Sequence, residues 1–156
     1  MMVYVCAFFA SLFFAVLYNV RGSLLICTAF CGVLGEVIFN WVSKDSLVLQ
    51  FLVSTMVMAI YSEIFARIFK VPVMVILTVG ILPIIPGASV YDTINALLNG
   101  NFTDSRIYGL QTLLSMGAMT IGIMIVSSIM QLVKTIRDPF IHLLSEVGVD
   151  SLHRRF

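Results

Sequence analysis

Four ionisable side chains stand inside or against long apolar stretches of this sequence: Glu36, Glu63, Arg67 and Asp92. In hydrocarbon such a group costs roughly 2.5–3.5 kcal/mol on insertion scales, so it normally faces a cavity or a partner. Glu36 lies well within its apolar run, and burial favours the neutral form of a carboxyl group, the property a proton carrier needs. The plainer reading is a protonated, hydrogen-bonded acid in a helix interface. Glu63 and Arg67 are four residues apart and therefore neighbours on one helix face. With Lys70 close behind, they read as an ion pair at an interfacial helix end. Asp92 has Asn95 one turn further along the same face. Together they suit the polar part of a small substrate, with Asp92 meeting an ammonium group or carrying a coupled proton. The alternative is that Asp92 already stands in solvent at the outer interface.

The stretch that must position Asp92 runs from Val71 to Gly100, VPVMVILTVGILPIIPGASVYDTINALLNG. It is apolar enough to cross a bilayer, yet Pro83, Pro86 and Gly87 interrupt it. Each proline removes a backbone donor and crowds the preceding turn, so two half-helices meeting inside the membrane are expected. The second half-helix would open at Gly87, with free N–H groups and the positive end of its dipole turned inward. Broken helices at membrane depth are tolerated where they are buried or line a cavity, and in transporters they build substrate sites. The N–H groups from Gly87 through Ala88 to Ser89, with the Ser89 hydroxyl, suit a carboxylate, and Tyr91 would line or gate the path. A proline-kinked structural helix with no ligand is the competing reading, because Gly and Pro are common in membrane helices.

Composition sets the class. The chain has 156 residues, of which 60% are hydrophobic and 11% charged, and its mean hydropathy is +1.08. A soluble domain of this size has to wet its exterior and does not carry so much apolar surface. The expected architecture is all-α and polytopic, embedded in the lipid bilayer, with about five spans over residues 2–18, 23–41, 47–69, 72–98 and 106–133. The fourth is broken at Pro83–Gly87. The connectors are Asn19-Val20-Arg21-Gly22, a polar break over Ser43, Lys44, Asp45 and Ser46, and a turn-rich loop from Asn99 to Ser105. Gly32 and Gly35 in the second span, and the Ala118–Gly122 pair in the fifth, offer faces for close helix contact. Residues 1–137 form the transmembrane domain. In the tail, 138–156, Asp138-Pro139 reads as a helix start with Asp as cap, opening a short cytoplasmic amphipathic helix. His142 and His153 read as ordinary polar residues of that tail.

Charge orients the chain. Five spans place Arg21, Arg67, Lys70, Lys134, Arg137, Arg154 and Arg155 on one side, and Lys44 and Arg106 on the other, which accounts for all 9 basic residues. The positive-inside rule then puts the N-terminus outside and the C-terminus in the cytoplasm. The first apolar run lacks a basic n-region and reads as a retained span rather than a signal peptide. Cys6, Cys27 and Cys31 lie in apolar segments and read as packing residues. No nucleotide, dinucleotide or zinc motif is visible, so neither a cofactor nor a metal is expected. No basic stripe points to nucleic acid. No local pairing of nucleophile and base points to an enzyme.

The run Pro83-Ile84-Ile85-Pro86-Gly87-Ala88-Ser89-Val90-Tyr91, followed by Leu97-Leu98-Asn99-Gly100, resembles the P-x-x-P-G-x-x-x-Y signature of the threonine/serine exporter family. Phe14 to Arg21 and the Gly32-x-x-Gly35 helix also look like the start of that family's C-terminal membrane module. The resemblance covers nearly the whole chain, with Pro83, Pro86, Gly87 and Tyr91 as the matching motif positions. Glu36 is outside the pattern. The resemblance implies a secondary exporter of small carboxylate-bearing solutes: threonine and serine, or in two-chain relatives dicarboxylates such as succinate. It also implies a multi-pass protein of a bacterial plasma membrane. This chain would be the small subunit of a split transporter, working in an oligomer with a larger partner subunit. Proton coupling through Glu36 or Asp92 is expected from the residues alone. The reading from a different class is a membrane scaffold that assembles a partner holding the whole site. A channel fits less well, because no charge ring or filter is visible.

Overall fold

The computed structural model describes residues 2–42 and 46–153, with the backbone alone described from residue 137 onward. Every element among the described residues is helical: α1 (Met2–Leu17), α2 (Ser23–Trp41), α3 (Leu47–Phe69), α4 (Val73–Ile81), a 3₁₀ turn (Leu82–Ile84), α5 (Gly87–Leu98) and α6 (Phe102–His153). Apolar solvent permits little else, because a helix satisfies its own backbone donors and acceptors. Between helices the chain turns at residues that accept a left-handed backbone. Asn19 (φ 58) and Gly22 (φ 68) reverse it after α1, and Gly100 (φ 74) reverses it after α5. The Arg21 Nε–H donates to Asn19 Oδ1 at 3.1 Å across the first of these turns. Lys70 (φ 54) ends α3, where the Val71 N–H returns to the Ala66 carbonyl at 3.0 Å before Pro72 starts α4.

Among the described residues three helices are long and apolar enough to cross a membrane: Ser23–Trp41, Leu47–Phe69 and Phe102–Ile136. The bent pair Val73–Ile84 and Gly87–Leu98 makes a fourth. The 16 residues of α1 reach about 24 Å, short of a core of about 30 Å, so the structure supports up to four spans where five were expected. Two boundaries differ from the sequence expectation. The fifth expected span begins at Phe102 rather than Arg106, because Asn101 and Asp104 cap it reciprocally. The Asn101 Nδ2–H donates to Asp104 Oδ2 at 2.6 Å, and the Asp104 N–H donates to Asn101 Oδ1 at 3.4 Å. Nor does a separate helix begin at Asp138-Pro139, since α6 runs through both positions to His153. Proline there forfeits one hydrogen bond to the turn before it, and the long helix on its N-terminal side continues past it. Lys44, Asp45 and Ser43 of the expected polar break, and the side chains of the tail with its histidines, lie outside the described residues.

The core forms where α2, α3, α4 and α6 converge, around Cys31, Phe51, Met58, Ile76 and Ala118. Close approach there depends on glycines. A Cβ on Gly32 would run into the Ser11 side chain, and one on Gly35 into Met58 and Ile84. One on Gly80 would sit 2.6 Å from Cys31 Sγ, and one on Gly122 would lie 3.0 Å from the Leu52 carbonyl. Polar groups in and beside the core are tied to carbonyls, except the buried hydroxyls of Ser11 and Ser54, which have no partner among the described residues. The Tyr61 hydroxyl donates to the Cys27 carbonyl at 3.1 Å, and Thr55 Oγ1–H to the Phe51 carbonyl at 2.8 Å. Gln50 reaches back from α3 to the Val42 carbonyl at 3.3 Å.

Candidate functional site at the broken helix

The break is built by the two prolines in turn. Pro83 sits inside the 3₁₀ turn, and Ile85 donates its N–H back to the Leu82 carbonyl at 3.4 Å. Pro86 then adopts φ −72, ψ 57, and Gly87 donates its N–H to the Ile85 carbonyl at 2.6 Å. That geometry is an inverse γ-turn centred on Pro86. The helical arms on either side meet at 50°. Two half-helices joined at Pro83–Gly87 is therefore the observed arrangement.

The γ-turn revises what the start of α5 offers. The Gly87 N–H is already committed, so the first-turn amides of Ala88 and Ser89 remain to face a ligand. No side chain caps this helix start. Pro86 is buried, Pro83 and Ser89 are half-buried, and Gly87 and Ala88 are exposed. Glycine at 87 is required neither by a left-handed backbone nor by a neighbour, since a Cβ there would meet nothing within 4 Å.

Beyond the first turn, α5 uses one face and leaves the other open. Thr93 packs on Gly109 of α6, and the Ser105 Oγ–H donates to the Thr93 carbonyl at 3.1 Å. The opposite face carries Ala88, Tyr91, Asp92 and Asn95, all exposed, Tyr91 at 68%. These expected contact residues share one side of α5, but no other described element covers them, and no closed cavity forms around Asp92 among the described residues.

Glu36 lies elsewhere, in a cleft that the break borders. It is half-buried in a cleft of about 230 Å³ with Pro83, walled by Val3, Cys6, Ala7 and Ala10 of α1. Its Oε1 accepts from Asn40 Nδ2 at 3.2 Å, one turn along α2. The structure therefore brings Glu36 to the first proline of the break and leaves Asp92 and Asn95 on α5. The α1 wall was not anticipated, although Val3, Cys6, Ala7 and Ala10 recur at helical spacing and three of them are small. Glu63 and Arg67 form the expected ion pair at 3.7 Å. A larger concavity of about 630 Å³ runs along Phe102, Arg106 and Leu110. A single helix supplies all its walls, and none of the expected site residues borders it.

A family model described as Threonine/Serine exporter, ThrE, matches residues 3–129, a range that takes in α1 to α5, the break and most of the apolar part of α6. No curated protein and no solved structure matches the chain.

Proposed function

This chain belongs to the threonine/serine exporter family, and we propose that it is the membrane subunit of a secondary exporter of small carboxylate-bearing solutes. Threonine and serine are the first candidates, and small dicarboxylates the second. The observation that carries this reading is the uncapped start of α5 at a 50° break in an apolar span. The amides of Ala88 and Ser89 and the Ser89 hydroxyl would receive the substrate carboxylate, where the helix dipole favours negative charge. Tyr91, Asp92 and Asn95 would meet the remainder of the substrate. Glu36, which accepts from Asn40 in the cleft it shares with Pro83, would exchange a proton as the break opens. In this reading α1 serves as the fifth span, and the N-terminus faces outward from a bacterial plasma membrane.

A larger partner subunit fits the open face of α5. Ala88, Tyr91, Asp92 and Asn95 need a second wall before they can enclose a solute, and the described residues supply none. The scaffold reading drew on the small-residue faces of the second and fifth spans. Gly32, Gly35 and Gly122 are already in use against α1, α3 and α4, so those faces no longer favour it.

Efflux of labelled threonine, serine and succinate from proteoliposomes tests the proposal, with this chain alone or with its larger partner. Saturable flux that falls at least tenfold in Asp92→Asn, while the protein still assembles, supports a substrate path along α5. Flux indifferent to both Asp92→Asn and Gly87→Leu would return the chain to the scaffold class.

A further inference from the structure

Away from the break, α3, α4 and α6 surround a cleft of about 350 Å³ at the turn from α3 into α4. Its lining is divided in character. Arg67 and Glu63 from α3, with Gln131 and Lys134 from α6, make it polar. Ala66, Val71, Val73 and Met130 supply apolar wall. Among the described lining residues two cations face one carboxylate, a net positive charge. Arg67 is 38% exposed, and its pairing with Glu63 at 3.7 Å leaves donors of its five N–H groups available. Lys134 is exposed and has no carboxylate at ion-pair distance among the described residues. The helical surface beside the cleft is greasy, with Ile68, Leu132 and Ile136 each more than 60% exposed.

We propose that this cleft binds the phosphate headgroup of an anionic phospholipid. Phosphate is the chemistry that Arg67 and Lys134 recognise together, Arg through its planar fork and Lys as a point charge. A soluble phosphate ester offers the same anion, but it leaves the half-buried Val71, Val73 and Met130 facing water. A lipid covers them with the upper part of its acyl chains. Basic pockets between membrane helices at the charged end of a bundle hold headgroups in this way. The site is separate from the broken helix, so its occupancy bears on anchoring and stability rather than on substrate choice.

The test uses the full chain in detergent, titrated with phosphatidylglycerol, phosphatidylcholine or glycerol 3-phosphate, with binding read by native mass spectrometry. Phosphatidylglycerol is expected to bind in preference to phosphatidylcholine. Lys134→Gln should weaken it about fivefold, and adding Arg67→Gln should abolish the preference. Lys134 is exposed and has no ion-pair partner among the described residues, so its variant reports binding even if the double variant folds poorly. Lys70→Asn removes a cation from the same end outside the cleft, keeps a residue tolerant of the left-handed backbone, and should leave binding unchanged. Equal binding of the two lipids would overturn the proposal. So would glycerol 3-phosphate binding as tightly as phosphatidylglycerol, or an unchanged affinity in Lys134→Gln.

Discussion

Gly87 and Gly35 are the same residue type held for opposite reasons, and substitution separates them. Gly35 touches Met58 and Ile84 at the core crossing, so Gly35→Val should destabilise the fold by about 1–3 kcal/mol through overpacking, seen as a lowered melting temperature in detergent. Gly87 has open space around its Cα and an ordinary helical backbone. Gly87→Ala should therefore leave the melting temperature unchanged or slightly raised. If a carboxylate approaches the first turn of α5, the same variant should cut efflux about tenfold, since one methyl group there holds the ligand off the Ala88 and Ser89 amides. Unimpaired efflux would remove the ligand from that turn. Glu36 admits a similar separation. Glu36→Gln keeps an acceptor for Asn40 and so should fold normally. It should also make efflux indifferent to a pH gradient, measured in proteoliposomes with and without ΔpH.

At the scale of the element, the break is the feature most legible from the residues alone, because proline acts within its own turn wherever the rest of the chain goes. Which acid lies at the break was not legible. Glu36 reaches Pro83 only because α1 and α2 pack against the 3₁₀ turn, and nothing local to Glu36 encodes that meeting. The spent N–H of Gly87 was equally invisible, since it depends on the ψ angle Pro86 adopts. The tail misled in the other direction. Asp138-Pro139 has the chemistry of a helix start, yet α6 passes through it as one continuous helix. Replacing Pro83 and Pro86 together by alanine should let α4 and α5 straighten. Spin labels at the exposed positions Met74 and Leu98 should then move apart by about 3 Å, the difference between a bent and a straight span of this length. An unchanged distance would mean that packing, rather than proline, holds the bend.

For the whole molecule, the helices divide into a packed group and a lightly held one. Helices α2, α3, α4 and α6 share the core, whereas α5 contains no buried residue and rests chiefly on α6. Low packing density lowers the free energy of local opening. Backbone amides of α5 should therefore exchange hydrogen well before those of α2 and α3, and adding the proposed larger subunit should slow that exchange if it covers Tyr91, Asp92 and Asn95. The break also has a mechanical side. Pro86 is a fulcrum and α5 an arm of about 18 Å. A swing of about ten degrees about that point carries the Asn99 end through about 3 Å, while the Ala88 and Ser89 amides scarcely move. The arm can thus work as a lever: a solute held at the proposed site would stay almost still while the long end sweeps past it.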